Sequence, residues 1–66
     1  MYLRELLVGL PDYEPIELEV KGDVGTRAAY ARDFKSEPSN NNIVTSLYSG
    51  YDPETKESYI YIEVRK

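Results

Sequence analysis

Cysteine, histidine and tryptophan are all missing from this 66-residue chain, and phenylalanine and methionine occur once each. Without cysteine there can be no disulfide staple, and without cysteine and histidine the commonest ligands of a structural metal are gone. The same two absences remove the usual general base and the usual strong nucleophile. Carboxylate pairs such as Glu17 and Glu19 remain. On a strand both would face water, a poor setting for paired acid–base work. Zinc spacings, calcium loops and nucleophile elbows are not found either. The chain therefore reads as a non-enzyme with no metal and no cofactor.

Long apolar runs are lacking too. None approaches the roughly 20 residues that a membrane span requires. The start Met1-Tyr2-Leu3-Arg4-Glu5 places charge where a secretory leader would turn apolar. A cytoplasmic protein that is not membrane-inserted is the expectation. A chain this short buries only about 60% of its unfolded surface, and small domains recover the deficit with disulfides, a metal or a partner. With the first two gone, a tightly packed monomer or self-association remains, and a homo-oligomer is expected.

Charge is unevenly spread around a net −4. Residues 1–20 hold five acids against Arg4, whereas residues 21–36 hold four bases against two acids. An acidic domain is repelled by a phosphate backbone, which disfavours nucleic acid as a partner. The central bases read first as solvated surface charges.

What is present is patterned. Leu3, Leu6, Leu7 and Leu10 recur at helical spacing, and Gly9 and Pro11 end the run. A helix this short is unstable alone, so its leucine stripe must lie on something. Pro11–Pro15 is turn chemistry, after which Ile16-Glu17-Leu18-Glu19-Val20 alternates strictly, as a half-buried strand does. Lys21–Gly25 reads as a turn; it lacks the strand-to-helix setting and ending of a phosphate-binding loop. Thr26–Phe34 is read as an irregular or edge strand, although its two alanines would suit a helix. Ser36–Asn42 has loop composition.

The C-terminal third spells a hairpin: Ile43–Tyr51 and Ser58–Arg65 around Asp52-Pro53-Glu54-Thr55-Lys56. Pro53 suits the second turn position, and Asp52 can accept from the backbone just beyond it. Ile60, Ile62 and Val64 share one face; Tyr59, Tyr61 and Glu63 share the other. The expected fold is therefore α+β: a short N-terminal helix packed on one face of a three- to four-stranded, mainly antiparallel sheet, in a single domain 1–66.

The face away from the helix should carry Glu17, Glu19, Tyr59, Tyr61 and Glu63, with Tyr48 and Ser46 from the neighbouring strand. The chain has seven tyrosines, and a large ring with a polar tip suits an interface. Cross-strand aromatic packing explains such a face equally simply. Homodimerisation and capture of a foreign protein are the functional readings. Imitation of DNA by carboxylates is a weaker one, because twelve acids face eight bases.

The order of elements resembles a loose class of small proteins encoded by bacteriophages and prophages of Gram-positive bacteria. The resemblance lies in Leu3-Arg4-Glu5-Leu6-Leu7, the Pro11-Asp12 turn, the Ile16–Val20 strand and a closing hairpin of Ile43–Tyr48 with Tyr59–Val64. It implies no site residues. It implies a binding role, because some mobile-element proteins of this size inhibit host defence by binding a protein or sequestering a nucleotide. The leading expectation is a protein-binding accessory or inhibitor module that uses the Tyr/Glu face. The runner-up is a homo-oligomeric small-ligand or nucleotide binder in which Arg27, Arg32 and Lys35 meet phosphate. A self-assembling structural component is the third.

Overall fold

The computed structural model describes residues 1–37 and 41–65. The element order is α1 (Leu3–Val8), β1 (Pro15–Val20), β2 (Arg27–Tyr30), α2 (Ala31–Lys35), β3 (Ile43–Asp52) and β4 (Glu57–Arg65). Four strands form one sheet in the order β2-β1-β4-β3. Two antiparallel pairs, β1/β2 and β3/β4, are joined at the centre by a parallel β1/β4 pair. The fold is α+β and mainly antiparallel, as its patterning implies.

The alternation in β1 and β4 aligns across the parallel pair, with Ile16 beside Ile60, Leu18 beside Ile62 and Val20 beside Val64. That apolar face receives both helices. Leu3, Leu7, Ala31 and Phe34 are buried with Ile16, Leu18, Ile62 and Val64, while Leu6, Leu10, Val20, Ala29, Val44 and Ile60 pack around them. Apolar area removed from water holds this core together, at about 25 cal/mol per Å².

The irregular or edge strand expected over Thr26–Phe34 holds only for its first part. Arg27–Tyr30 is an edge strand, but Ala31 begins a second helix. Asp33 accepts the backbone N–H of Tyr30 at 3.0 Å, and Glu5 accepts that of Tyr2 at 2.9 Å. Each helix is thus started by an acid three residues on that satisfies an otherwise orphaned donor. α2 delivers Phe34, the chain's largest fully buried side chain. Arg27 lies over its ring at 5.3 Å and pairs with Glu37 through two hydrogen bonds of 2.7 and 2.5 Å.

The turn after β1 uses Gly22 and Gly25 at φ 97° and 82°, values that L side chains rarely adopt. In the hairpin, Asp52 accepts from the Glu54 N–H at 2.9 Å as expected, and Lys56 N–H closes on the Asp52 carbonyl at 2.8 Å. The predicted loop Ser36–Asn42 includes positions 38–40, which lie outside the described residues. Asn42, at its end, accepts the Leu3 N–H at 2.8 Å.

Candidate functional site

Side chains alternate along a strand, so burying Ile16, Leu18, Ile62 and Val64 turns their neighbours outward. The register then aligns those neighbours in rows. Ala28, Glu17, Tyr61 and Tyr48 form one row across all four strands; Glu19, Glu63 and Ser46 form the next. Tyr30, Tyr59 and Gly50 lie on the same face, one row the other way. All seven residues expected on this face, Glu17, Glu19, Ser46, Tyr48, Tyr59, Tyr61 and Glu63, are therefore brought together. Among the described residues no element packs over them.

Specific contacts hold the rings. The Tyr61 hydroxyl donates to the Glu19 carboxylate, and the Tyr48 ring lies 5.9 Å from that of Tyr61 at a 44° tilt. Tyr59 lies over Gly50, in the space that a Cβ at position 50 would need. Thr45 donates its hydroxyl to the backbone carbonyl and the carboxylate of Glu63, both at 3.1 Å. Beyond these contacts Tyr48 is still 59% exposed.

A cleft of about 300 Å³ opens where this face meets the β3–β4 turn. Tyr30 and Tyr59 line it, with Pro15 and Ala28 beside them. Glu17, Asp52 and Glu57 are the charged residues of its lining, which includes no lysine or arginine. Glu17 and Tyr59 were foreseen from the alternation of β1 and β4. Tyr30, Asp52 and Glu57 were not, because they join the site only through strand register and the hairpin turn.

Arg27, Arg32 and Lys35 lie at the β2–α2 end of the molecule, and each is engaged within the chain. Arg27 holds Glu37, which pushes its guanidinium pKa up from the ordinary value. Arg32 donates to the Tyr13 hydroxyl at 3.2 Å and lies over that ring. Lys35 donates to the Leu10 carbonyl at 2.9 Å and to Asp12 at 2.8 Å. The hydrogen bond and charge of Lys35 hold the Asp12 carboxyl below its usual pKa.

Among the described residues, no three His, Cys, Asp or Glu side chains converge as metal ligands would. Among those same residues no helix is long and apolar enough to cross a membrane. No family model, curated protein or solved structure matches the chain.

Proposed function

We propose that this chain is a non-enzymatic protein-binding module, accessory or inhibitory, whose Tyr/Glu sheet face docks on a basic surface of a partner protein. One observation carries this reading. Among the described residues no element packs on one side of the sheet, and that side combines tyrosine rings with charge of nearly one sign. By register its strand positions include Glu17, Glu19, Asp52, Glu57 and Glu63 as acids and Arg65 as a base. Tyrosine supplies contact area at low entropic cost, and a one-sign field selects a partner of the other sign. The resemblance to small phage and prophage proteins agrees with the inhibitory end of this reading.

The nucleotide-binding alternative has less support. A phosphate at Arg27, Arg32 and Lys35 would have to compete with Glu37, Tyr13 and Asp12 for those same donors.

The test is affinity capture from a host lysate, with the captured protein then purified and titrated directly. Tyr61→Ala and Glu19→Lys should each abolish binding while circular dichroism stays unchanged. Binding should also weaken as salt is raised, because exposed charges are screened over about 10 Å at 0.1 M. Undiminished binding by both folded variants would sink the assignment of this face.

A further inference from the structure

We infer that the outer edge of β3 pairs antiparallel with β3 of a second copy of the chain, joining two sheets into one. This does not rest on the function proposed above, because edge pairing engages only the β3 margin of the Tyr/Glu face and leaves Glu17, Glu19, Tyr61 and Glu63 uncovered.

β3 is a terminal strand of the sheet. Only its beginning is covered among the described residues: Tyr2 bridges Ile43, and Val44 N–H donates to the Met1 carbonyl at 2.8 Å. A bulge between Val44 and Ser46 follows. Beyond it no described strand pairs with the edge.

The direction of the open groups follows from the hairpin. The Asp52 carbonyl accepts from Lys56, within the turn that leads to β4, and Asp52 stands opposite Glu57. Backbone polar groups alternate sides along a strand, so Gly50 and Tyr48 also point to β4. Tyr51, Ser49 and Leu47 then present their N–H and C=O groups outward.

Soluble proteins blunt such an edge with charge, proline or a very short strand. The other edge strand, β2, is four residues long and begins with Arg27. β3 runs ten residues, and no charged residue or proline occurs from Ile43 to Tyr51. Past its bulge, it has none of the usual protection.

The open stretch is also self-complementary about Ser49. A two-fold axis there sets Leu47 opposite Tyr51 of the second copy on the helix side of the sheet. These two are 53% and 59% exposed in the single chain, and pairing would cover both. On the other side Tyr48 falls opposite Gly50, which has no side chain, and its ring meets the Tyr59 that lies over that glycine. Ser49 meets Ser49. Three facing pairs would exchange about six backbone hydrogen bonds. Stacking the open faces instead would press Glu17, Glu19 and Glu63 against their own copies. Edge pairing avoids that repulsion.

Analytical ultracentrifugation at high micromolar concentration tests the inference on the intact chain. The expected mass is twice that of the chain. Ser49→Pro removes one outward N–H, and Leu47→Lys places a charge on an already exposed position; each should restore the single-chain mass with the amide NMR dispersion retained. In a mixed labelled and unlabelled sample, isotope-filtered spectra should show Leu47 methyls against Tyr51 rings across copies. A monomeric wild type, or a dimer that survives both substitutions, would overturn the pairing. So would a dimer without the Leu47–Tyr51 contacts.

Discussion

Tyr61 stands opposite Glu17 across the parallel β1–β4 pair, yet its hydroxyl donates to Glu19, the next carboxylate along the same face. The bond runs diagonally, so it ties together two rows of the sheet. With the Tyr48 ring alongside, Tyr61 is held in place before any partner arrives. A pre-ordered ring loses less entropy on binding.

The Tyr61–Glu19 bond is expected to show a coupling of about 1 kcal/mol in a double-mutant cycle of Tyr61→Phe with Glu19→Gln. Urea denaturation of the four proteins measures it. Strict additivity would mean that the bond contributes nothing in solution.

Phe34 joins α2 to the sheet core and is fully buried. Phe34→Ala should cost about 3–5 kcal/mol, comparable with the whole stability of a domain this size. Far-UV circular dichroism should therefore show a largely unfolded chain. Phe34→Leu keeps most of the volume and should stay folded at a lower urea midpoint.

Lys56 adopts φ 59°, a left-handed conformation that costs an L side chain about 1–2 kcal/mol and glycine far less. Lys56→Gly should therefore stabilise the hairpin, partly offset by the greater freedom of glycine in the unfolded chain. A net gain of about 0.5 kcal/mol, seen as a raised melting temperature, is expected. A lowered melting temperature would contradict the turn geometry.

Gly50→Ala tests the contact with Tyr59. A methyl at position 50 would overlap the ring, so the ring must swing away from β3. Strain from the displaced ring opposes the better strand propensity of alanine, and net stability should change by less than about 1 kcal/mol. The Tyr59 ring shifts should change clearly in the NMR spectrum. Because Tyr59 lines the cleft, partner binding should weaken as well.

Asp12 carries an acid-dependent share of stability. Its folded-state pKa lies below the ordinary 3.8 because it accepts a hydrogen bond from Lys35, with Coulomb attraction from Lys35 and Arg32 added. A depressed folded pKa contributes stability that is present above 3.8 and lost as pH falls through the folded value. Asp12→Asn should flatten the acid limb of a urea-midpoint profile below that pH. The group is exposed, so the difference should be small. Identical acid limbs would show that the pair does not persist in solution.

Much of the sheet was legible because alternation is a local signal. Ile16-Glu17-Leu18-Glu19-Val20 and Tyr59-Ile60-Tyr61-Ile62-Glu63-Val64 each state which side chains share a face without reference to any other strand. The Asp52 turn and the leucine stripe of α1 were equally local. Residues 26–34 were harder because four residues pair as a strand and the next five coil as a helix. Each piece is shorter than the window in which periodicity can be measured. The starting signals were Tyr2-Leu3-Arg4-Glu5 and Tyr30-Ala31-Arg32-Asp33, which cap both helices in the same way without the serine or threonine usually sought.

β3 shows the limit of alternation itself. Val44 faces Val64 and Leu47 faces Ile62, so two residues three apart share the helix side. The bulge between Val44 and Ser46 resets the phase. Nothing within β3 announces it, because an extra residue is tolerated only against a particular partner strand.

Composition and local pattern thus determined the absence of cysteine and histidine chemistry, the two-faced strands, the leucine helix and the tyrosine and glutamate residues of the open face. The tertiary structure alone decided that β1 lies parallel to β4, that Phe34 arrives on a second helix, and that Tyr61 reaches Glu19 while Tyr30 and Tyr59 border one cleft. The physical reason is range. Which way a side chain points is set by the backbone within a few residues. Which strand it stands beside depends on contacts between segments more than 40 residues apart, as with the Tyr61–Glu19 bond.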